Sequence, residues 1–265
     1  TILQYFILVI IGVIFLKKVS ELLAKRINRI TAYVIAVIVT YNRIKLLKEC
    51  LNAVLSQTYK VHKIVLIDNA STDGTADLFI KGGEYDKDVV DYRKMETNLG
   101  GAGGFYEGIK ICRDMECDYV WIMDDDAIVK RDALKELLKA DQLLKGNYGY
   151  LSSTVFWTDG QPCVMNRPKL VKDWTSDLGY LSAGLVRTYY STFVSFFVKT
   201  ATVKELGLPI KDFFIWGDDV EYSNRLSKKY PCYVVGKSQV IHKTRDNNGS
   251  NIAKEQGDRI GRYKF

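Results

Sequence analysis

No Cys-x-x-Cys pair occurs among the five cysteines of this 265-residue chain, Cys50, Cys112, Cys117, Cys163 and Cys232, and their number is odd. That pattern offers neither a zinc ribbon nor a complete disulfide framework, and a reducing compartment, the cytoplasm, is expected. Histidine is nearly absent: only His62 and His242 occur, and His62 sits at a strand entry where a structural role is expected. Standard nucleotide loops are missing too. In the glycine-rich run from Asn98 to Phe105, counting G-x-G-x-x-G from Gly101 and Gly103 places the third glycine position on Tyr106, and no Gly-Lys-Ser/Thr follows, which removes the dinucleotide fingerprint and the P-loop. No apolar run at the N-terminus reaches the ~20 residues of an ordinary membrane span. Ile2 to Leu16 is the longest there, with Gln4 its one strongly polar residue.

That segment continues into Lys17, Lys18, Lys25, Arg26 and Arg29 against a single Glu21, flanks that keep the downstream domain on the cytoplasmic side if the stretch spans. Val19, Leu22, Leu23, Ile27 and Ile30 prolong a helical stripe. No basic region precedes the apolar core and no small-residue cleavage site comes after it, so a cleaved signal peptide is not expected. Residues 1–30 are therefore read as a hydrophobic, amphipathic helix that associates with a membrane, with a buried or partner-packing helix as the alternative, and residues 31–265 as one domain. A start at Thr1 and a stop at Phe265 read as trimming at both ends. The formal charge of +7 comes from dispersed basic residues without a nucleic-acid motif, so a membrane surface suits it better than nucleic acid. At 47% hydrophobic content the chain can bury a substantial core.

What is present is an alternation of strands, polar turns and helices. Residues 33–40 form a β-branched run that ends in Tyr41-Asn42-Arg43, and Leu46, Leu47, Leu51, Val54 and Leu55 then mark one face of a helix. Lys63 to Ile67 is a second strand ending in Asp68-Asn69-Ala70-Ser71-Thr72-Asp73, after which a second helix is expected. A third strand, Tyr119 to Met123, runs into Asp124-Asp125-Asp126. The alternation predicts an α/β fold with a mostly parallel, Rossmann-like sheet flanked by helices, and ligands at the carboxyl ends of its strands. Three adjacent carboxylates at such an end are costly unless a cation offsets them. Mg2+ or Mn2+ takes oxygen ligands and shares them with phosphates, and Asp124 and Asp126 fall on one side if strand geometry persists. Asp125 then faces away, or toward a sugar or ribose. The plainer alternative is a solvated turn that opens the next helix.

Taken in order, VIVTYNR, LSQTY, VLIDNASTDGT, NLGGAGGF, IMDDDA, WGDDVEY and the late His242 resemble family 2 glycosyltransferases of the GT-A fold over about residues 33–245. NLGGAGGF with the triple Asp and WGDDVEY is most similar to the galactofuranosyltransferase branch, with rhamnosyltransferases next. The resemblance implies inverting transfer of a sugar from a nucleotide diphosphate donor, UDP-galactofuranose first and dTDP-rhamnose second, to a glycan or lipid-linked acceptor at the cytoplasmic face of the membrane. It implies Mn2+ or Mg2+ held by Asp124, Asp126 and His242. Donor contacts are expected from Thr40, Tyr41, Asn42, Arg43, Asp68, Asn98, Gly101 and Asp125. The glycine run is expected to precede a helix beginning near Phe105 whose amides face the diphosphate. Asp219 is the expected base with Asp218 the alternative, and Trp216 and Glu221 are expected on the acceptor. A nucleotidylyltransferase would lack WGDDVEY, and a catalytically silent scaffold would not need the acidic residues.

Overall fold

A computed structural model of the chain describes residues 32–80 and 83–248. The segment expected to associate with a membrane lies outside these residues. Among the described residues no helix is long and apolar enough to cross a membrane.

Along the unit that begins at Val34, the elements are β1 (Val34–Thr40), α1 (Ile44–Leu55), β2 (Lys63–Asp68), β3 (Val90–Lys94), α2 (Gly100–Asp114), β4 (Tyr119–Asp124), β5 (Ala127–Val129), α3 (Ala133–Leu144), β6 (Leu151–Phe156), β7 (Lys169–Leu170), α4 (Leu178–Leu181), β8 (Leu185–Tyr190), β9 (Phe196–Lys199), α5 (Thr200–Leu206), α6 (Asp218–Ser227) and β10 (Tyr233–His242). The β-branched run of β1 is buried along its whole length, as a strand covered on both faces must be. Each fully buried Val or Ile there contributes roughly 1.5–3 kcal/mol relative to exposure. On α1 the buried stripe is Leu47, Cys50, Leu51 and Val54, spaced three and four residues apart as one helical face requires.

The strands form one sheet in the order β3-β2-β1-β4-β9-β6-β10-β8-β7, with β5 paired to β10. Its first half is parallel as expected: β1 lies between β2 and β4, and β3 continues beyond β2. The second half is not. β9 runs antiparallel to both β4 and β6, and β10 is parallel to β6 but antiparallel to β5 and β8. The sheet is mixed because the strand-helix-strand alternation stops at β6. Between β6 and β9 the longest helix is the four-residue α4, and without a crossover helix strands return reversed.

Two local expectations also change. The turn after β2 leads to a single 3-10 segment, Thr75–Phe79, instead of a full helix. The glycine run is not a loop before a helix but the opening of α2, which starts at Gly100. Tertiary packing explains why glycines are tolerated inside that helix. A Cβ at Gly104 would come within 2.5 Å of Val39 Cγ1, and one at Gly108 would strike Val37 Cγ1. Helix positions i and i+4 thus press on two strand residues that stand two apart, Val39 and Val37. In an open helix a glycine-to-alanine change gains about 1 kcal/mol. Here overpacking governs, so Gly104→Ala and Gly108→Ala should each lose ~1–3 kcal/mol in denaturant titration. A gain in stability for either variant would contradict this packing account.

Candidate active site

The register of the parallel strands gathers their polar ends along one edge. Thr40 is the partner of Asp68, and Val39 that of Asp124, so all three strands change from apolar to polar at the same level. Connections leave β1 toward β2 on one side and β4 lies on the other, which opens a crevice at their carboxyl ends.

Into this crevice β10 delivers His242. Antiparallel pairing sets His242 opposite Ala127, and the Lys243 amide donates to the Asp126 carbonyl at 2.9 Å. One ligand atom each from Asp124, Asp126 and His242 falls within 4.8 Å of the others. His242 Nε2 is 2.9 Å from Asp126 Oδ1 and 4.0 Å from Asp124 Oδ2. Its Nδ1 faces Asn166 Oδ1 at 2.7 Å, so Nδ1 carries the proton that the amide oxygen accepts and Nε2 is turned to the carboxylates, the arrangement a metal-binding imidazole needs. Two carboxylates and one imidazole form a donor set suited to a divalent cation.

The triplet also leans on Arg43. Its NH1 donates to Asp126 Oδ2 at 2.7 Å and to Asp125 Oδ1 at 3.2 Å, and Thr40 Oγ1 donates to Asp125 Oδ2 at 2.7 Å. Burial raises Asp124, with the neighbouring Asp126 charge adding to it. Burial pushes Asp125 up to about 6 even though Arg43 opposes the rise. Asp126 goes the other way: burial would raise it, but the hydrogen bond and charge of His242 hold it below the ordinary carboxylate range. His242 is correspondingly raised to about 10: burial, the largest single influence, lowers it, but the hydrogen bonds to Asp126 and Cys163 and the charges of Asp126 and Asp124 together outweigh burial.

Two cavities open here. The smaller, of about 310 Å³, is lined by Thr40, Tyr41, Arg43, Asn98, Gly101 and Asp125, among others. The larger, of about 650 Å³, holds Asp124, Asp126 and His242 on one side and Trp216, Asp218 and Asp219 on another. Gly217 caps α6 with φ 96°, and both Asp218 and Asp219 lie in its first turn, where negative charge is favoured. Asp218 is 5% exposed. Burial, with Asp219 beside it, lifts Asp218 to about 7, and burial raises Asp219 as well.

Three residues expected at the site have other work. Asp68 is fully buried and lines neither cavity, because Oδ1 accepts from the Ser71 amide at 2.8 Å and Oδ2 from the Tyr92 hydroxyl at 2.5 Å. Asn42, at φ 53°, turns away to accept from the Thr72 amide at 2.8 Å. Glu221 is tied to Arg225 at 2.8 and 3.0 Å and is also outside both cavities. The residue that does line the smaller cavity at the end of β2 is Asn69. Its Nδ2 donates to the Gly100 carbonyl at 2.8 Å, while its buried Oδ1 has no partner. An orphaned buried acceptor next to a cavity points to a ligand donor, a signal that only the packing reveals. Asn166, the brace of His242, stands 76 positions away from it and belongs to no motif.

Asp218 supplies a pH test. Between the ordinary value of 3.8 and about 7, the folded protein retains a proton that the unfolded chain has released, so stability falls as pH rises. Asp218→Asn removes this dependence. The variant should gain on wild type between pH 4 and pH 8, by at most ~4 kcal/mol, in metal-free thermal melts. A gap that stays constant or reverses would contradict the burial of this carboxyl.

Residues 35–161 match the model of Glycosyl transferase family 2. The galactofuranosyltransferase GlfT1 of Mycolicibacterium smegmatis is 27% identical over 212 residues, 74% of this chain, and the match spans 66% of that relative's length. Among solved structures, GalNAc-T7 with UDP, GalNAc and Mn2+ superposes with a TM-score of 0.66 at 19% identity, over 83% of this chain and 45% of that one. The mannosyltransferase of Pyrobaculum calidifontis with GDP-Man and Mn2+ gives 0.59 at 20% identity, over 82% and 59%. These likenesses share a GT-A type of fold. With the family match running from β1 through β6 and taking in Asp124 and Asp126 at the carboxyl end of β4, residues 35–161 form a domain of the glycosyl transferase family 2 type.

Proposed function

We propose that the chain transfers a sugar, with inversion, from a nucleotide diphosphate donor to a glycan or lipid-linked glycan acceptor in surface polysaccharide synthesis. UDP-galactofuranose is the first-choice donor and dTDP-rhamnose the second. The observation that carries this reading is the convergence of Asp124, Asp126 and His242 on the larger cavity, opposite Asp218 and Asp219, with Asp124 also bordering the smaller cavity beside Thr40 and Asn69. Support for galactofuranose comes from the relative named above. The membrane as workplace rests on residues 1–30, whose apolar run and basic flank suit the cytoplasmic face.

In this reading the smaller cavity takes the nucleoside. Tyr41 offers an aromatic face, Asn69 Oδ1 accepts from the base or ribose, and Thr40 orients Asp125. Arg43 lines both cavities and offers its guanidinium to the diphosphate. Mn2+ or Mg2+ bound by the triad would offset the charge on the departing diphosphate. Asp219 takes the proton of the attacking hydroxyl. It is the less enclosed of the acidic pair and opens on the larger cavity, and its raised pKa makes it a better proton acceptor than an ordinary aspartate. Trp216 borders the same cavity and provides a surface for the acceptor sugar.

Binding and chemistry should separate on mutation. Asp126→Asn should weaken metal-supported UDP binding and nearly abolish turnover. Asp219→Asn should leave that binding close to wild type while lowering kcat by ~10²–10⁴-fold, with a much smaller loss for Asp218→Asn. Calorimetry with UDP and Mn2+ beside donor-consumption rates makes the comparison. The reverse ranking of the two α6 variants would make Asp218 the base, and full activity of both would remove the mechanism.

A further inference from the structure

α2 contains five glycines, and four have a packing reason visible in the fold. A Cβ at Gly100 would strike the Phe214 carbonyl, and Gly100 also has φ 71°. At Gly103 it would meet Leu99 Cβ at 2.5 Å, and Gly104 and Gly108 press on β1. Gly101 differs. The nearest atom to a Cβ there is Phe105 Cε2 at 4.0 Å, and its φ is not in the left-handed region. Neither sterics nor backbone conformation demands glycine, although glycine is among the least favourable residues in a helix.

The position of Gly101 supplies the reason. It lines both cavities, a property shared by Arg43, Asp124 and Ile215. Two of those are charged, which leaves Gly101 and Ile215 as the uncharged part of the junction. In a transferase that holds the nucleoside in one cavity and the acceptor in the other, the group in transit occupies the passage between them. We propose that the absent side chain at Gly101 makes room for the sugar ring being transferred, so that Gly101 positions the donor sugar and limits its size. This rests on the transferase reading above. The ring would lie with a C–H face toward the Gly101 backbone and Ile215, and a side chain at 101 would fill the passage without disturbing the nucleoside.

The test uses the whole chain and two variants, Gly101→Ala and Gly101→Leu, with three readouts: Tm, affinity for UDP with Mn2+, and KM for intact UDP-galactofuranose. If wild type prefers dTDP-rhamnose, dTDP and dTDP-rhamnose replace them. Gly101→Ala should melt at or above the wild-type temperature, and both variants should bind the nucleotide within twofold of wild type. KM for the intact donor should rise severalfold for alanine and at least tenfold for leucine. A lower Tm for Gly101→Ala would mean that the glycine serves packing after all, and overturns the proposal. So would equal losses for nucleotide and intact donor, a rise confined to acceptor KM, or no change in either variant. If wild type binds neither nucleotide with Mn2+, the transferase reading itself fails and the proposal with it.

Discussion

Three consecutive carboxylates at the end of a buried strand are the constraint around which this structure is arranged. Two unit charges about 4 Å apart repel by ~4 kcal/mol at an effective dielectric constant of 20, and Asp125 and Asp126 are both buried. The fold answers with two cationic groups from distant parts of the chain. Arg43, just before α1, bridges Asp125 and Asp126, and His242, the last residue of β10, closes on Asp126 from the other side. Both oxygens of Asp126 are therefore engaged by cationic side chains. A group held in this way is poised to exchange a guanidinium or imidazolium contact for a metal ion. Burial raises both Asp124 and Asp125, the electrostatic cost of enclosing neighbouring carboxylates.

The wall between the two cavities is strained in the same sense. Phe214 and Trp216 adopt φ of 60° and 66°, a region that bulky residues avoid and that costs of order 1–3 kcal/mol each. What holds Phe214 there is α2, whose Ala102 amide donates to the Phe214 carbonyl at 3.0 Å. The glycine helix, the strained loop and the acidic pair of α6 thus form one mechanical unit: Gly100 lets the loop approach, and the loop in turn aims Gly217 and the first turn of α6 at the cleft.

How much of this could be read from the sequence depends on how local its cause is. β1, β2 and β4 were legible because a β-branched run followed by a polar turn is a short-range signal, and Asp124 and Asp126 were legible because they stand where such a run stops. His242 was reached through the resemblance to a known family rather than from its surroundings, since the pairing with Ala127 that brings it to Asp126 spans over a hundred residues. Asp68 and Asn69 show the limit. They are adjacent, and which one faces the cavity was decided by Tyr92 and Ser71 capturing the first. The start of α2 is hidden in the sequence because glycine opposes helix formation locally while β1 requires it for close packing. The reversal of β9 has no signature within β9 itself, since strand direction follows from whether a crossover helix precedes the strand.

The central claim is that Asp124, Asp126 and His242 bind one divalent ion beside the diphosphate of a nucleotide. The most direct measurement is anomalous diffraction at the manganese edge from crystals of the chain grown with UDP and Mn2+. A single strong peak within coordination distance of all three side chains, with the guanidinium of Arg43 moved from Asp126 toward the phosphates, is the expected picture. A peak elsewhere, or UDP bound with Arg43 still joined to Asp126 and no manganese at the triad, would contradict it.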